Sequence, residues 1–166
     1  VFAKRNNPND TITLEDWHYG GVESEDGGFV FTTRIEQYDN TVNGNREYPG
    51  LIKYDKYFNI KWHQFLKPGK YAKIAPFGIP AVIDSVLIEG AEVHTKVIET
   101  NDGFLAFGYY YQGSKIFVLK VDKQGKISPN FPIIFDYYTT HEYQINDIVH
   151  VNTSSFNGFI GVGHKN

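Results

Sequence analysis

The chain has 166 residues, 41% of them apolar and 21% charged, with a formal net charge of −3 at pH 7. That is the size of one domain with room for a buried core, and it excludes a disordered polar chain. No apolar run approaches the roughly 20 residues of a membrane span, the sixteen Lys and Arg are scattered, and cysteine is absent; no membrane span, no nucleic-acid partner and no thiolate chemistry are expected.

Aromatic residues reach 16% and are joined by many Val, Ile and Thr, the set that fits a pleated, half-buried surface. Helical spacing of apolar residues is nowhere sustained for three turns, and 16 Gly with 7 Pro interrupt most long windows. The pattern predicts an all-β chain. Val1–Asp10 is polar and carries Pro8, so no signal segment opens the chain, although a signal already removed would leave the same start. Methionine is absent, position 1 included, and the chain therefore reads as a processed form or a piece of something longer. Thr11–Trp17 is predicted as an outer strand.

A first hairpin follows, Gly21–Ser24 and Phe29–Arg34 joined by the turn Glu25-Asp26-Gly27-Gly28. Leu51–Tyr54 and a return at Ile60 extend it. Val97–Thr100 and Phe104–Tyr109 flank Asn101-Asp102-Gly103, and Lys115–Asp122 turns at Lys123-Gln124-Gly125 into Lys126-Ile127, giving four antiparallel strands in succession. The segments Leu51–Ile60 and Leu119–Ile127 align around a shared Lys-x-Asp-Lys core with one residue inserted in the turn. A third hairpin pairs Ile145–Val151 with Phe159–Gly163 across Phe156-Asn157-Gly158. Aligning Phe29, Phe104 and Phe159 defines three related units, about 20–66, 93–127 and 145–166. Between them Gln37–Pro49, Lys67–Gly90 and Ser128–Tyr143 read as loops. Phe29-Val30-Phe31, Phe104–Phe107 and Ile116–Leu119 are apolar on both faces, so each sheet requires cover on both sides and must stack against a neighbour.

The Asp-Gly-Gly-Phe and Asn-Asp-Gly-Phe hairpins, followed by a Leu/Ile-Lys-x-Asp strand pair and by Trp62 after the last turn, resemble the β-propeller repeats of bacterial secreted and cell-surface proteins. The likeness spans about Gly20–Gly163 and implies four-stranded antiparallel blades in an incomplete ring; a β-sandwich is the alternative. Fewer than three full units cannot close a ring alone. The chain is then a fragment of a longer propeller, or it borrows edges from a partner in an oligomer or larger assembly.

Chemistry-bearing patterns are sparse. Asp16 and His18 share a strand face, but no third ligand has metal-site spacing, and neither a metal nor another cofactor is expected. The turn acids Glu25, Asp26 and Asp102 could pair as in glycosidases, yet the hairpin turns already account for them. Aromatic clusters are the strongest binding signal, with Trp17, Tyr19 and Tyr110 the candidate ligand-contacting rings for a glycan or a protein partner. Asp10-Thr11-Ile12 and Asp84-Ser85-Val86 are similar to bacterial O-glycosylation acceptors, and Asn9-Asp10-Thr11 and Asn152-Thr153-Ser154 to N-glycan acceptors. The sequence thus reads as a non-catalytic binding or scaffold protein at the cell surface, in the periplasm or secreted. A carbohydrate-active enzyme and an accessory subunit of a larger assembly are the alternatives.

Overall fold

The computed structural model describes residues 18–39, 44–66, 69–74, 82–86, 91–92, 96–110, 115–136, 143–155 and 157–165. Among these residues every regular element is a strand: β1 (His18–Glu23), β2 (Phe29–Asp39), β3 (Gly44–Tyr54), β4 (Ile60–Phe65), β5 (Gly69–Ile74), β6 (Val82–Val86), β7 (Ala91–Glu92), β8 (Val97–Thr100), β9 (Gly103–Tyr110), β10 (Lys115–Asp122), β11 (Ile133–Asp136), β12 (Tyr143–Asn152) and β13 (Asn157–Lys165). The predicted strand Thr11–Trp17 lies outside the described residues.

Two local rules shape these strands. Asp55 and Asp122 each close a tight turn with the same bonds: the Asp55 N–H donates to Asn59 O at 2.9 Å and the Phe58 N–H to Asp55 O at 3.0 Å, matched by Asp122 to Lys126 O at 2.9 Å and Gly125 to Asp122 O at 3.0 Å. Each carboxylate Oδ1 also accepts two turn amides, Tyr57 and Asn59 at 2.8 and 2.9 Å, and Gln124 and Lys126 at 3.0 and 2.9 Å. The two turns are the same size, which corrects the inserted residue expected from sequence. The second rule concerns the glycine before each phenylalanine. A Cβ on Gly28 would lie 2.3 Å from Tyr54 O, and one on Gly103 would lie 1.9 Å from Val121 O. Both obstacles are backbone, so only glycine fits.

The first sheet is an antiparallel meander, β1-β2-β3-β4. The second runs β6-β5-β11-β10-β9-β7, with β8 also on β9 and with β11 parallel to β5. β12 and β13 form a separate antiparallel ribbon. The predicted strand after β10 shrinks to one bridge, Val121 with Ile127, because β11 takes the edge of β10 at Lys115–Val118. Strands run through parts of the three segments read as loops: β2 and β3 stay paired from Arg34–Pro49 to Asp39–Gly44, β5 and β6 lie within the second segment, and β11 lies within the third. Polar, proline-bearing composition reports side-chain exposure, whereas a ladder needs only backbone groups.

The sheets are stacked face to face. Val30, Leu51 and Leu66 from the first meet Val97, Phe104, Ala106, Phe117, Leu119, Val121 and Ile134 of the second in one buried cluster, with Val22, Trp62 and Ile127 packed against it. The opposite face of the second sheet, Leu105, Phe107 and Val118, packs on Ile148 of the ribbon. Phe104 to Gly108 and Ile116 to Leu119 are all buried, as strands apolar on both faces require. At ~25 cal/mol per Å² of apolar area, covering these residues is the main stabilising term.

Candidate functional site

The stack between the first two sheets ends in a polar cluster. Lys53 is paired with Trp62 across β3 and β4 and so faces the second sheet, where it is only 4% exposed. Its Nζ donates to Ser24 Oγ at 2.8 Å and Asp26 Oδ1 at 2.9 Å and lies 5.1 Å from the centre of the Phe104 ring. Ser24 Oγ donates to Glu99 of β8 at 3.0 Å, the Glu25 N–H donates to the same carboxylate at 2.9 Å, and Lys123 donates to it as well. The Trp62 indole N–H reaches Lys123 O at 3.1 Å, and Gly125, with φ +84°, leaves room for that ring. The bonds from Ser24 and Glu25 to Glu99 and from Trp62 to Lys123 cross between the sheets, which makes the cluster a clamp between them.

The Asp26 carboxylate is therefore committed to the clamp. The hydrogen bond from Lys53, then that from the Gly28 N–H, hold the Asp26 carboxyl below its usual range. Lys120, 2.7 Å away, and Thr100 do the same for Asp102. Burial acts to raise the Glu99 carboxyl, but bonds from Lys123, the Glu25 N–H and Ser24 outweigh it and leave Glu99 low. A glycosidase general acid needs the opposite, a carboxyl raised so that it carries a proton near neutral pH.

A pH dependence follows with a definite sign. Carboxyls held low in the fold bind fewer protons than in the unfolded chain, so their stabilisation is full above about pH 4–5 and is lost as pH falls through their folded values. Lys123, raised chiefly by its Glu99 bond, keeps that contribution below its ordinary value for as long as Glu99 is ionised and loses it as pH rises past its own folded value. Urea midpoints are expected to be flat from pH 6 to 8 and to drop steeply below about pH 4. In Glu99→Gln the acid drop should shrink.

Of the rings singled out from sequence, Trp17 lies outside the described residues, Tyr19 sits half-buried in β1, and Tyr110 ends β9 opposite Ala91. These positions do not form one described surface. Among the described residues no group of three or more His, Asp or Glu is placed to hold a metal ion.

Among the described residues the two most exposed aromatic side chains lie together at the β3–β4 turn. Tyr57 is 73% and Phe58 48% exposed. The Phe58 ring lies parallel to Phe29, with centroids 5.1 Å apart and planes 9° apart, and approaches Tyr54 at 6.3 Å. Phe29 continues to Phe31 at 6.4 Å, and Lys56 Nζ sits 5.1 Å from the Tyr57 ring centre. Phe58 has φ +62°, a left-handed backbone that costs a side-chain-bearing residue about 1 kcal/mol. In the matching turn this position is Gly125. The turn itself is thus served as well by glycine, and Phe58 adds a ring that the stack with Phe29 holds in a fixed orientation.

No protein-family model, curated protein or solved structure matches the chain.

Proposed function

We propose that the protein is a non-catalytic binding module outside the cytoplasm, built of repeated, propeller-like hairpin sheets, and that it recognises a glycan through the Tyr57–Phe58 turn. The observation that carries this reading is Phe58: an aromatic residue in a left-handed conformation, half exposed, where the equivalent turn uses glycine. Strain that the fold does not require points to a role for the side chain. Flat rings fixed at the surface, one stacked from beneath and one beside a lysine, offer faces on which sugar rings can rest with no deep pocket.

The repeated-unit reading draws on the equal turns at Asp55 and Asp122, the equal glycines at Gly28 and Gly103, and the side each phenylalanine takes. Phe104 faces the first sheet, Phe159 contacts Phe107 of the second at 6.0 Å, and Phe29 lies on the face of its sheet opposite Val30, away from the second. Each therefore points the same way along the stack.

A glycan array probed with the intact chain tests the proposal. Binding to a defined set of sugars is expected, reduced at least tenfold in Tyr57→Ala and in Phe58→Gly. Relief of about 1 kcal/mol of backbone strain offsets the lost stack in Phe58→Gly, so its urea midpoint should stay close to wild type. Undiminished binding in both variants, or no binding by the wild-type chain, contradicts the reading.

A further inference from the structure

The turns at Asp55 and Asp122 match residue for residue, and the lysine that follows each aspartate has a different set of partners. Lys123 lies 5.4 Å from the centre of the Phe104 ring and gives its charge to carboxylates: it donates to Glu99, and Glu25 Oε2 is 3.5 Å away. Lys56 stands at the equivalent position, with Nζ 5.1 Å from the centre of the Tyr57 ring, and among the described residues no carboxylate comes within ion-pair distance of it. The arrangement of lysine, aromatic ring and carboxylate is complete in one turn and lacks its acid in the other.

The acid inside the turn does not fill that place. Both oxygens of Asp55 are held by the turn's own donors: Oδ1 accepts the Tyr57 and Asn59 N–H groups at 2.8 and 2.9 Å, and the Asn59 side-chain amide donates to Oδ2 at 3.0 Å. The Asn59 side-chain amide, then the Asn59 backbone N–H, keep that carboxyl below its usual range. Lys56 is exposed, and so is Lys61, the extra residue where the register of β4 shifts against β3. Residues 55–61 thus carry two lysines and one acid, on a chain whose net charge is −3. With Tyr57 and Phe58 exposed in the same turn, an incoming anion meets cations and ring faces together.

We propose that the sugar recognised at this turn is acidic, a uronic or sialic acid unit whose ring rests on Tyr57 or Phe58 and whose carboxylate binds Lys56 as Glu99 binds Lys123. The inference rests on the glycan reading above and deepens it by assigning the charge of the ligand. Stacking on an aromatic face is open to any sugar ring and supplies affinity without selecting among sugars. A hydrogen bond between two ionised groups is roughly twice as strong as one between neutral groups, and only a carboxylated sugar can make it with Lys56. A neutral sugar leaves the ammonium group in water with nothing gained, so the lysine discriminates between the two classes. Lys56 is therefore the specificity-determining residue of the site, and the rings are its platform.

The probe is an array of uronate- and sialate-bearing oligosaccharides, each printed beside its carboxyl-reduced counterpart, with sulfated and neutral oligosaccharides alongside, incubated with the intact chain. Binding to acidic members is expected, about tenfold or more tighter than to their reduced counterparts, and weakening as NaCl is raised from about 0.05 to about 0.5 M. Lys56→Gln should lose this preference and bind the reduced sugars as the wild type does, whereas Lys56→Arg, which keeps the charge, should retain it. Lys126→Gln makes the same change of net charge at an exposed position of the matching turn and should also retain it, which separates a contact from an effect of overall charge. Neutral sugars bound as tightly as acidic ones, or a preference that survives in Lys56→Gln, overturns the acidic-sugar assignment and leaves the glycan reading standing. Sulfated sugars bound in place of carboxylated ones overturn the assignment to a carboxylate. No binding to any sugar, acidic or neutral, overturns both readings.

Discussion

Gly103→Ala is expected to destabilise the protein by about 3 kcal/mol or more, a large share of the roughly 5–15 kcal/mol that holds a domain of this size. The added methyl would sit 1.9 Å from Val121 O and 2.8 Å from Asp122 Cα, both backbone atoms of the strand to which β9 is bonded. Relief requires β9 and β10 to separate, which breaks the ladder from Gly103–Asp122 onward and opens the buried cluster on Phe104. Gly28→Ala should behave alike, with Tyr54 O at 2.3 Å. Gly27 gives the control: it has φ +76° but nothing within 4 Å of a built Cβ, so Gly27→Ala incurs only the backbone penalty of about 1 kcal/mol. Urea midpoints for the three variants test the ordering. A Gly103→Ala protein as stable as Gly27→Ala contradicts the close approach.

Phe104→Ala is the second large effect, a loss of about 4 kcal/mol. The ring is fully buried and touches more than apolar neighbours. Trp62 lies 5.9 Å away, and the ammonium groups of Lys53 and Lys123 lie 5.1 and 5.4 Å from its centre. Truncation therefore opens a cavity and also removes the aromatic face from two cations, one of them buried. Phe159→Ala should cost only about 1 kcal/mol, because Phe159 is 36% exposed and covers less of its neighbour. The contrast between these two phenylalanines measures how much less complete the cover of the ribbon is than that of the second sheet.

The strongest local signals in the sequence concern backbone that only certain residues can adopt. Asp55 and Asp122 cap their turns, glycine precedes phenylalanine where a neighbouring carbonyl leaves no space, and strands apolar on both faces are covered on both. Pairing between distant segments left no such trace. β11 beside β5 in parallel, and the extension of β2 and β3 through a polar stretch, are made by backbone bonds that any sequence can form. The clamp was hidden for a related reason: Glu99 lies far along the chain from Ser24 and Glu25, and nothing in its own neighbourhood marks it. Phe58 was within reach. An ungapped alignment of the two Lys-x-Asp-Lys cores sets it against Gly125 and exposes the anomaly, whereas the gapped alignment obscures it. Trp17, Tyr19 and Tyr110 stand out in the sequence by clustering, a signal that core packing produces as readily as binding.

Amide hydrogen exchange in Phe104→Ala tests most directly whether the first two sheets depend on one another for burial. Phe104 belongs to β9, yet the account predicts that exchange accelerates at Val30 and Leu51 of the first sheet as much as at Leu119 of the second. Wild-type protection retained at Val30 and Leu51, with loss confined to β8, β9 and β10, would show that the first sheet stays folded without its neighbour and would contradict the stacked arrangement.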